Sequence, residues 1–164
     1  MSDPKQIHLV AAKHVLRYVR GTITYGLRYT SSSGVLLFGY SDLDWSGSAV
    51  DRKSTSSHCF SMGSAMISWS SRKQGSIAQS TAEAEYIAAS DAYKEAVWLR
   101  KLLSNLLEGN LDSTIIHCDN QSYIKLSENP VFHDRSKHIE MRYHFINDLV
   151  QRVALKLYYI HTDE

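Results

Sequence analysis

The sequence predicts a mixed α/β fold, with a run of antiparallel strands first and then a helix, a strand, further helices and a closing strand. Three observations lead there. Between Ile23 and about Ser71, β-branched and aromatic runs are separated by Ser/Gly clusters. From Ser80 to about Leu107 the apolar residues recur at helical spacing instead. Beyond Gly109, two short apolar runs, TIIHCD and LKLYYIH, bracket stretches of helical pattern. The sequence contains no internal repeat.

Each element has its own signal. Asp3 and Pro4 suit the start of a first helix, in which Ile7, Val10, Ala11, Val15, Tyr18 and Val19 share helical spacing, and Gly21 ends the run. Lys13, Arg17 and Arg20 fall on one face of it, either as a solvated surface or as a contact for a polyanion. Four runs then read as strands: ITYGLRYT (23–30), VLLFGYS, SHCFSM and AMISWSS, the last three as an antiparallel succession. SSSG (31–34) reads as a tight hairpin loop, and Asp44 to Ser57 as a longer polar connection. Ser80, followed three residues on by Glu83, fits a capping box opening the long helix. TIIHCD reads as a buried strand, NQSYIKLSE as a brief helix broken at Asn129-Pro130, residues 135–150 as another helix, and LKLYYIH as the last strand.

Composition bounds the function. With 164 residues, 43% hydrophobic and 21% charged, the chain is one ordinary globular domain and neither disordered nor collagen-like. No apolar run approaches the length of a membrane span, and the start, MSDPKQIH, carries no signal segment, so an intracellular chain is expected. Cys59 and Cys118 cannot build a disulfide framework or a CxxC motif. Eighteen basic against seventeen acidic side chains give a net charge of +1, so any binding to a polyanion must use local patches.

Three carboxylates sit where packing alone would not put them. Asp42 ends the strand VLLFGYS, with Asp44 two residues on, and Asp119 ends TIIHC. If those strands are neighbours, their terminal carboxylates converge. Glu85 heads a stripe of the long helix that continues through Ala89, Ala92, Ala96, Leu99 and Leu103, while Glu83 shares a side with Ser90 and Lys94, the expected solvated surface. A carboxylate on a core-facing stripe needs a partner, a proton or a metal. The structural alternatives are a rim ion pair for Glu85 and plain turn roles for the two aspartates. Together, Asp42, Glu85 and Asp119 would make an all-oxygen set, which suits Mg²⁺ or Mn²⁺ and phosphoryl chemistry.

The segments GYSDLDWSGSAVDRKSTSSHCF, ISWSSRKQGSIAQSTAEAEYIAAS and IHCDNQSYIKLSENPVFHDRSKHIEMRYHFI, in that order, strongly resemble the ribonuclease H domain of copia-type long-terminal-repeat retrotransposon polyproteins. The resemblance covers nearly the whole chain. It implies a ribonuclease H-like α/β fold: a five-stranded mixed sheet, three antiparallel strands then parallel ones, flanked by helices. Residues 1–30 resemble the connecting helix and strand from the reverse transcriptase side, and 31–164 the ribonuclease H-like domain, truncated at its C-terminus. The implied activity is endonucleolytic hydrolysis of the RNA strand of RNA–DNA hybrids during reverse transcription with two Mg²⁺ ions, for which Mn²⁺ substitutes, and is expected to be weakened in this truncated chain. Asp42 in YSD, Glu85 in AEAEYIA and Asp119 in CDNQS match three family carboxylates, catalytic and metal-holding; Asp44 takes a supporting role. The implied partners are the hybrid and the reverse transcriptase domain of the same polyprotein, with no membrane. The implied setting is the cytoplasm, in virus-like particles, with a nuclear stage.

The resemblance has departures. The family's fourth aspartate follows a pattern that this chain, ending HTDE, stops short of; Asp163 and Glu164 fit the positions before it. Nothing is assigned to Glu140, and no catalytic role or zinc site to His133, His138 or His144, whose spacing puts them on no common helix face. Candidate contacts to the hybrid are Arg72, Lys73 and Gln74, then Gln79, Ser80 and Thr81 at the start of the long helix, and Asn120, Gln121 and Ser122 after Asp119. Ser80 has the helix cap as its alternative, and Arg135, Lys137 and Arg142 form either a phosphate patch or a solvated face. The second expectation, from a different class, is a catalytically impaired or domesticated module of the same fold that binds nucleic acid or serves a structural role.

Overall fold

The computed structural model describes residues 3–30, 36–47, 51–109, 111–119, 124 and 155–161. Their elements are α1 (Gln6–Gly21), β1 (Leu37–Asp44), β2 (Thr55–Met62), β3 (Ala65–Lys73), α2 (Thr81–Leu107), β4 (Thr114–Cys118) and β5 (Leu155–Tyr159). The five strands form one sheet in the order β3-β2-β1-β4-β5. β1 pairs antiparallel with β2 and β2 with β3, whereas β1–β4 and β4–β5 are parallel. This is the mixed sheet that the sequence predicts. The SSSG hairpin and both helices between β4 and β5 lie outside the described residues.

The sheet's core face is packed against α2. The stripe Ala89, Ala92, Ala96, Leu99 and Leu103 lies in one buried cluster with Leu37, Phe60, Ile116 and Leu155 of the strands. Alanines let the helix approach the sheet closely, and the leucines fill the space where it diverges. Ser90 departs from the expected solvated side: it is buried, as is almost every residue from Ala84 to Ala96 apart from Asp91, Lys94 and the half-buried Glu85 and Glu95. A helix apolar on most of its circumference is a core helix rather than a surface one. Ser80 caps it as expected, its Oγ accepting from the Glu83 N–H at 3.2 Å, while the Glu83 carboxylate accepts from the Gln79 N–H at 2.7 Å. At the other end the left-handed residue is Glu108 (φ 49°) rather than Gly109. The Arg100 guanidinium then donates to the Leu111 and Asp112 carbonyls and to Thr114 Oγ1, fixing the entry to β4.

Two further sequence expectations change. The run 23–30 has no ladder partner among the described residues; its end is held by Tyr29 Oη donating to the Met66 carbonyl (2.7 Å) and the Thr30 N–H donating to Ser64 Oγ (3.0 Å). Side-chain anchors, not a backbone ladder, tie it to the β2–β3 corner. β4 is half-buried rather than fully buried: Thr114, Ile116 and Cys118 face the core, and His117 on the other side stacks on Tyr40, ring centroids 5.1 Å apart.

Gly39 faces Phe60 across the β1–β2 pair, and a Cβ there would overlap the Phe60 ring. Gly39→Ala therefore forces a core shift and is expected to destabilise the fold by about 1–3 kcal/mol, read as a lower urea midpoint at unchanged slope. His58, on the α2 side of β2, titrates below the usual histidine range because burial outweighs the attraction of Glu95 and Asp91, with Arg72 adding to the depression. The unfolded chain takes up this proton first, so stability falls as pH drops below about 6.5 toward the folded value. In His58→Gln, the loss of unfolding midpoint between pH 7 and 5 is expected to be smaller than in the parent.

Candidate active site

The last registered pair of the parallel β1–β4 ladder is Ser41 with Cys118. Asp42 and Asp119 each follow directly, so the two aspartates leave neighbouring strands at the same sheet edge, and both are exposed. Parallel pairing does this by necessity, because both C-terminal ends point one way. Among the described residues the Asp42 side chain makes no hydrogen bond or ion pair.

Glu85 comes to the same edge from the second turn of α2. It lines a small cleft, open to solvent, together with Ser41, Cys118, Ala89, Ala92, Tyr93, Ile116 and Leu157. Ser41 and Cys118 are the residues immediately before the two aspartates. The signal for them was present in YSD and HCD, as the inward-facing neighbours of outward-facing carboxylates.

A polar brace holds the turn that carries Glu85. Gln74 was expected among the hybrid contacts, but its side chain is buried: Nε2 donates to Ser56 Oγ at 2.8 Å and to the Ala84 carbonyl at 2.9 Å. Its backbone N–H donates to the Ser54 carbonyl, and Lys53 Nζ donates to the Gly75 carbonyl at 2.7 Å. Gln74 is thus a strut between β2, β3 and the start of α2.

The remaining candidates divide by location. Arg72 and Lys73 end β3 at the same edge, in rows Leu43–Ser56–Arg72 and Asp44–Thr55–Lys73. That places them two strands from the β1 end, roughly 10 Å across the sheet. Arg72 is exposed; Lys73 pairs with Asp51 at 3.1 Å, a surface ion pair of small energetic weight. Gln79, Ser80 and Thr81 are exposed before and at the first turn of α2. Asp44 lies against the turn after β1, where a Cβ on Gly47 would overlap its carboxylate. Asn120, Gln121 and Ser122 lie outside the described residues, as do Arg135, Lys137, Arg142, Asp163 and Glu164.

Among the described residues, no three His, Cys, Asp or Glu side chains form a group able to hold a metal ion. Asp42 and Asp119 sit at adjacent strand ends and Glu85 reaches the same edge by way of the cleft, but the three are not drawn into one cage. Gathering like charges raises their repulsion unless a cation offsets it. Their donor type, carboxylate oxygen, fits a hard divalent cation.

No family model matches the chain. It is 40% identical over its whole length to the Retrovirus-related Pol polyprotein from transposon TNT 1-94 of Nicotiana tabacum, and 38% to that from transposon RE1 of Arabidopsis thaliana. Over its whole length the chain is homologous to a segment of the Pol polyproteins of copia-type plant transposons. It spans only 12% and 11% of the length of these two relatives. Over 98 residues, 60% of the chain, it is also 48% identical to the Secreted RxLR effector protein 161 of Plasmopara viticola, covering 69% of that protein. Among solved structures, LC11-RNase H1 isolated from compost superposes on 79% of this chain and 87% of its own, with a TM-score of 0.56 at 14% identity. The same enzyme in complex with RNA/DNA hybrid gives 0.55 at 13% identity, over 77% of this chain and 86% of its own. The prototype foamy virus protease-reverse transcriptase gives 0.54 at 14% identity, over 83% of this chain and 19% of its own. The fold is therefore ribonuclease H-like.

Ser80→Ala removes the acceptor for the Glu83 N–H and is expected to cost about 1 kcal/mol, with hydrogen exchange rising first at the N-terminal turns of α2.

Proposed function

We propose that this Pol segment is a ribonuclease H, hydrolysing the RNA strand of RNA–DNA hybrids during reverse transcription of a copia-type element. The observation that carries the proposal is the β1–β4 edge, where Asp42 and Asp119 end adjacent parallel strands beside the cleft that Glu85 lines. Family membership and the ribonuclease H-like fold support it. The proposed partners are the hybrid and the reverse transcriptase domain of the same polyprotein, in cytoplasmic virus-like particles with a nuclear stage.

Asp42, Asp119 and Glu85 are the residues that would hold Mg²⁺, or Mn²⁺ in its place. When bound, a pair of such ions supplies the Lewis acidity that activates water and stabilises the leaving oxygen of an in-line displacement. Asp42 and Asp119 present carboxylate oxygens at the sheet edge, and Glu85 adds a third from α2. Gln74 and the Ser80 cap hold the helical turn from which Glu85 projects. Arg72 and Lys73 on one side, and Gln79, Ser80 and Thr81 on the other, offer cationic and polar groups to the phosphates flanking the scissile bond. Asn120, Gln121 and Ser122 follow Asp119 directly and are assigned to sugar contacts that register the 2′-hydroxyl. Such contacts read backbone shape rather than bases, so cleavage is expected to show little sequence preference. A second reading is an impaired module that binds hybrid without cutting it, since among the described residues the three carboxylates do not close into one group.

Labelled hybrid incubated with the chain and Mg²⁺ or Mn²⁺ tests both readings. Cleavage is expected with either ion and to be lost with chelator. Asp42→Asn, Glu85→Gln and Asp119→Asn should each lower the rate roughly 10²–10³-fold while unfolding midpoints hold. Wild-type cleavage by Asp42→Asn would remove the assignment, and hybrid binding without any cleavage would favour the impaired module.

A further inference from the structure

We infer that the face of the sheet opposite α2 carries a band that binds a backbone phosphate of the nucleic acid, centred on the hydroxyl pair of Ser57 and Ser71 beside Asp42. The inference rests on the ribonuclease H reading for its ligand, and its test reads binding rather than cleavage.

Strand register decides which side chains share that face. Leu37, Phe60 and Ile116 point into the core under α2, so the residues alternating with them point the other way. On β1, β2 and β3 these form successive rows: Asp44–Thr55–Lys73 at the edge, then Asp42–Ser57–Ser71, then Tyr40–Cys59–Trp69. The chemistry changes between the second row and the third. Every side chain of the two edge rows is charged or carries a hydroxyl. The third row runs on through His117 and Tyr158, so that it crosses all five strands with an aromatic ring on every strand but β2. The hydrogen-bonding groups of β1, β2 and β3 on this face are thus concentrated beside the carboxylates.

The hydroxyl pair is built to donate. Ser57 Oγ donates to Ser71 Oγ at 3.2 Å, and Ser71 is exposed. Two hydroxyls bonded to each other use one of their two protons and leave the other for an outside acceptor. Ser57 is also the registered partner of Asp42, and Cβ atoms in such a pair stand about 5 Å apart. An ammonium at that position would pair with Asp42 and compete with a cation for it. A hydroxyl donates to an anion and leaves the carboxylate charge intact. The positive charge stands further off: Lys73, held by Asp51 at 3.1 Å, lies on the same face of β3 about 7 Å beyond Ser71. A phosphate on the serine pair therefore meets neutral donors next to Asp42 and a cation one row away.

The test is fluorescence anisotropy of a labelled RNA–DNA hybrid titrated with the full chain carrying Asp119→Asn, so that the hybrid stays intact. Ser71→Ala added to that chain is expected to weaken binding roughly fivefold, and Ser57→Ala to act in the same direction. The slope of affinity against salt should not change, because no charge is removed. Ser71→Thr keeps the hydroxyl and should restore the affinity. Ser70→Ala, one residue away on the α2 side of β3, should leave it as it was. The Ser71→Ala loss should be the same on a hybrid whose RNA strand carries 2′-fluoro groups in place of 2′-hydroxyls, which leaves phosphate as the acceptor. Three results overturn the inference alone: hybrid affinity unchanged in Ser71→Ala; a loss confined to the strand with 2′-hydroxyls, which gives the pair to the sugar; or a loss that Ser71→Thr does not restore and a lower unfolding midpoint accompanies, which makes the pair a sheet contact. Failure of the Asp119→Asn chain itself to bind hybrid, with its unfolding midpoint intact, overturns the inference and the ribonuclease H reading together.

Discussion

The parallel pairing of β1 with β4 is the constraint on which everything else depends. A hairpin cannot join parallel neighbours, so the chain must leave β1, build β2 and β3, and cross back over the sheet through α2 before β4 can settle beside β1. That route puts a long helix across the middle of the sheet and brings two strand C-termini to one edge. The aspartates at that edge come from positions 77 residues apart in sequence, and only the ladder makes them neighbours.

The crossover works because α2 satisfies two demands at once. Its alanine stripe permits close packing on the sheet, and its N-terminal turns keep Glu85 at the rim of that packing rather than inside it. The charge is tolerated because the cleft is open, while the backbone carrying it is fixed by Gln74, the Ser80 cap and the Lys53–Gly75 contact. Polar groups that a binding surface could have used are therefore taken up in holding the turn that carries Glu85 in place. Arg100 does the same at the far end, where three acceptors set the angle at which β4 begins.

The comparisons divide along the same line. Identity near 40% to the plant Pol relatives runs the full length of this chain, α1 included, whereas the ribonuclease H structures share the fold at about 14% identity. A fold held by strand order, an alanine-lined crossover and a few braces can accept very different side chains provided the pattern survives. α1 follows a different logic: its residues match the polyprotein, and its apolar surface has no counterpart in the sheet's own core.

The sequence by itself determined the element types, because alternation and helical spacing are local properties. The three antiparallel strands, the Ser80 cap, the Glu85-to-Leu103 stripe and the two parallel strands were all legible. The three carboxylates were legible too, each as a charge at a strand end or on an apolar stripe. What the sequence left open depends on distant partners. Whether 23–30 pairs as a strand is decided by the β2–β3 corner, which offers it side-chain anchors and no ladder. Gln74 looks like a surface polar residue until β2 and α2 close around it, and Ser90 looks solvated until the helix is buried on most sides. Burial and hydrogen-bond satisfaction belong to the assembled fold rather than to any window of the chain, so only the tertiary structure could assign them.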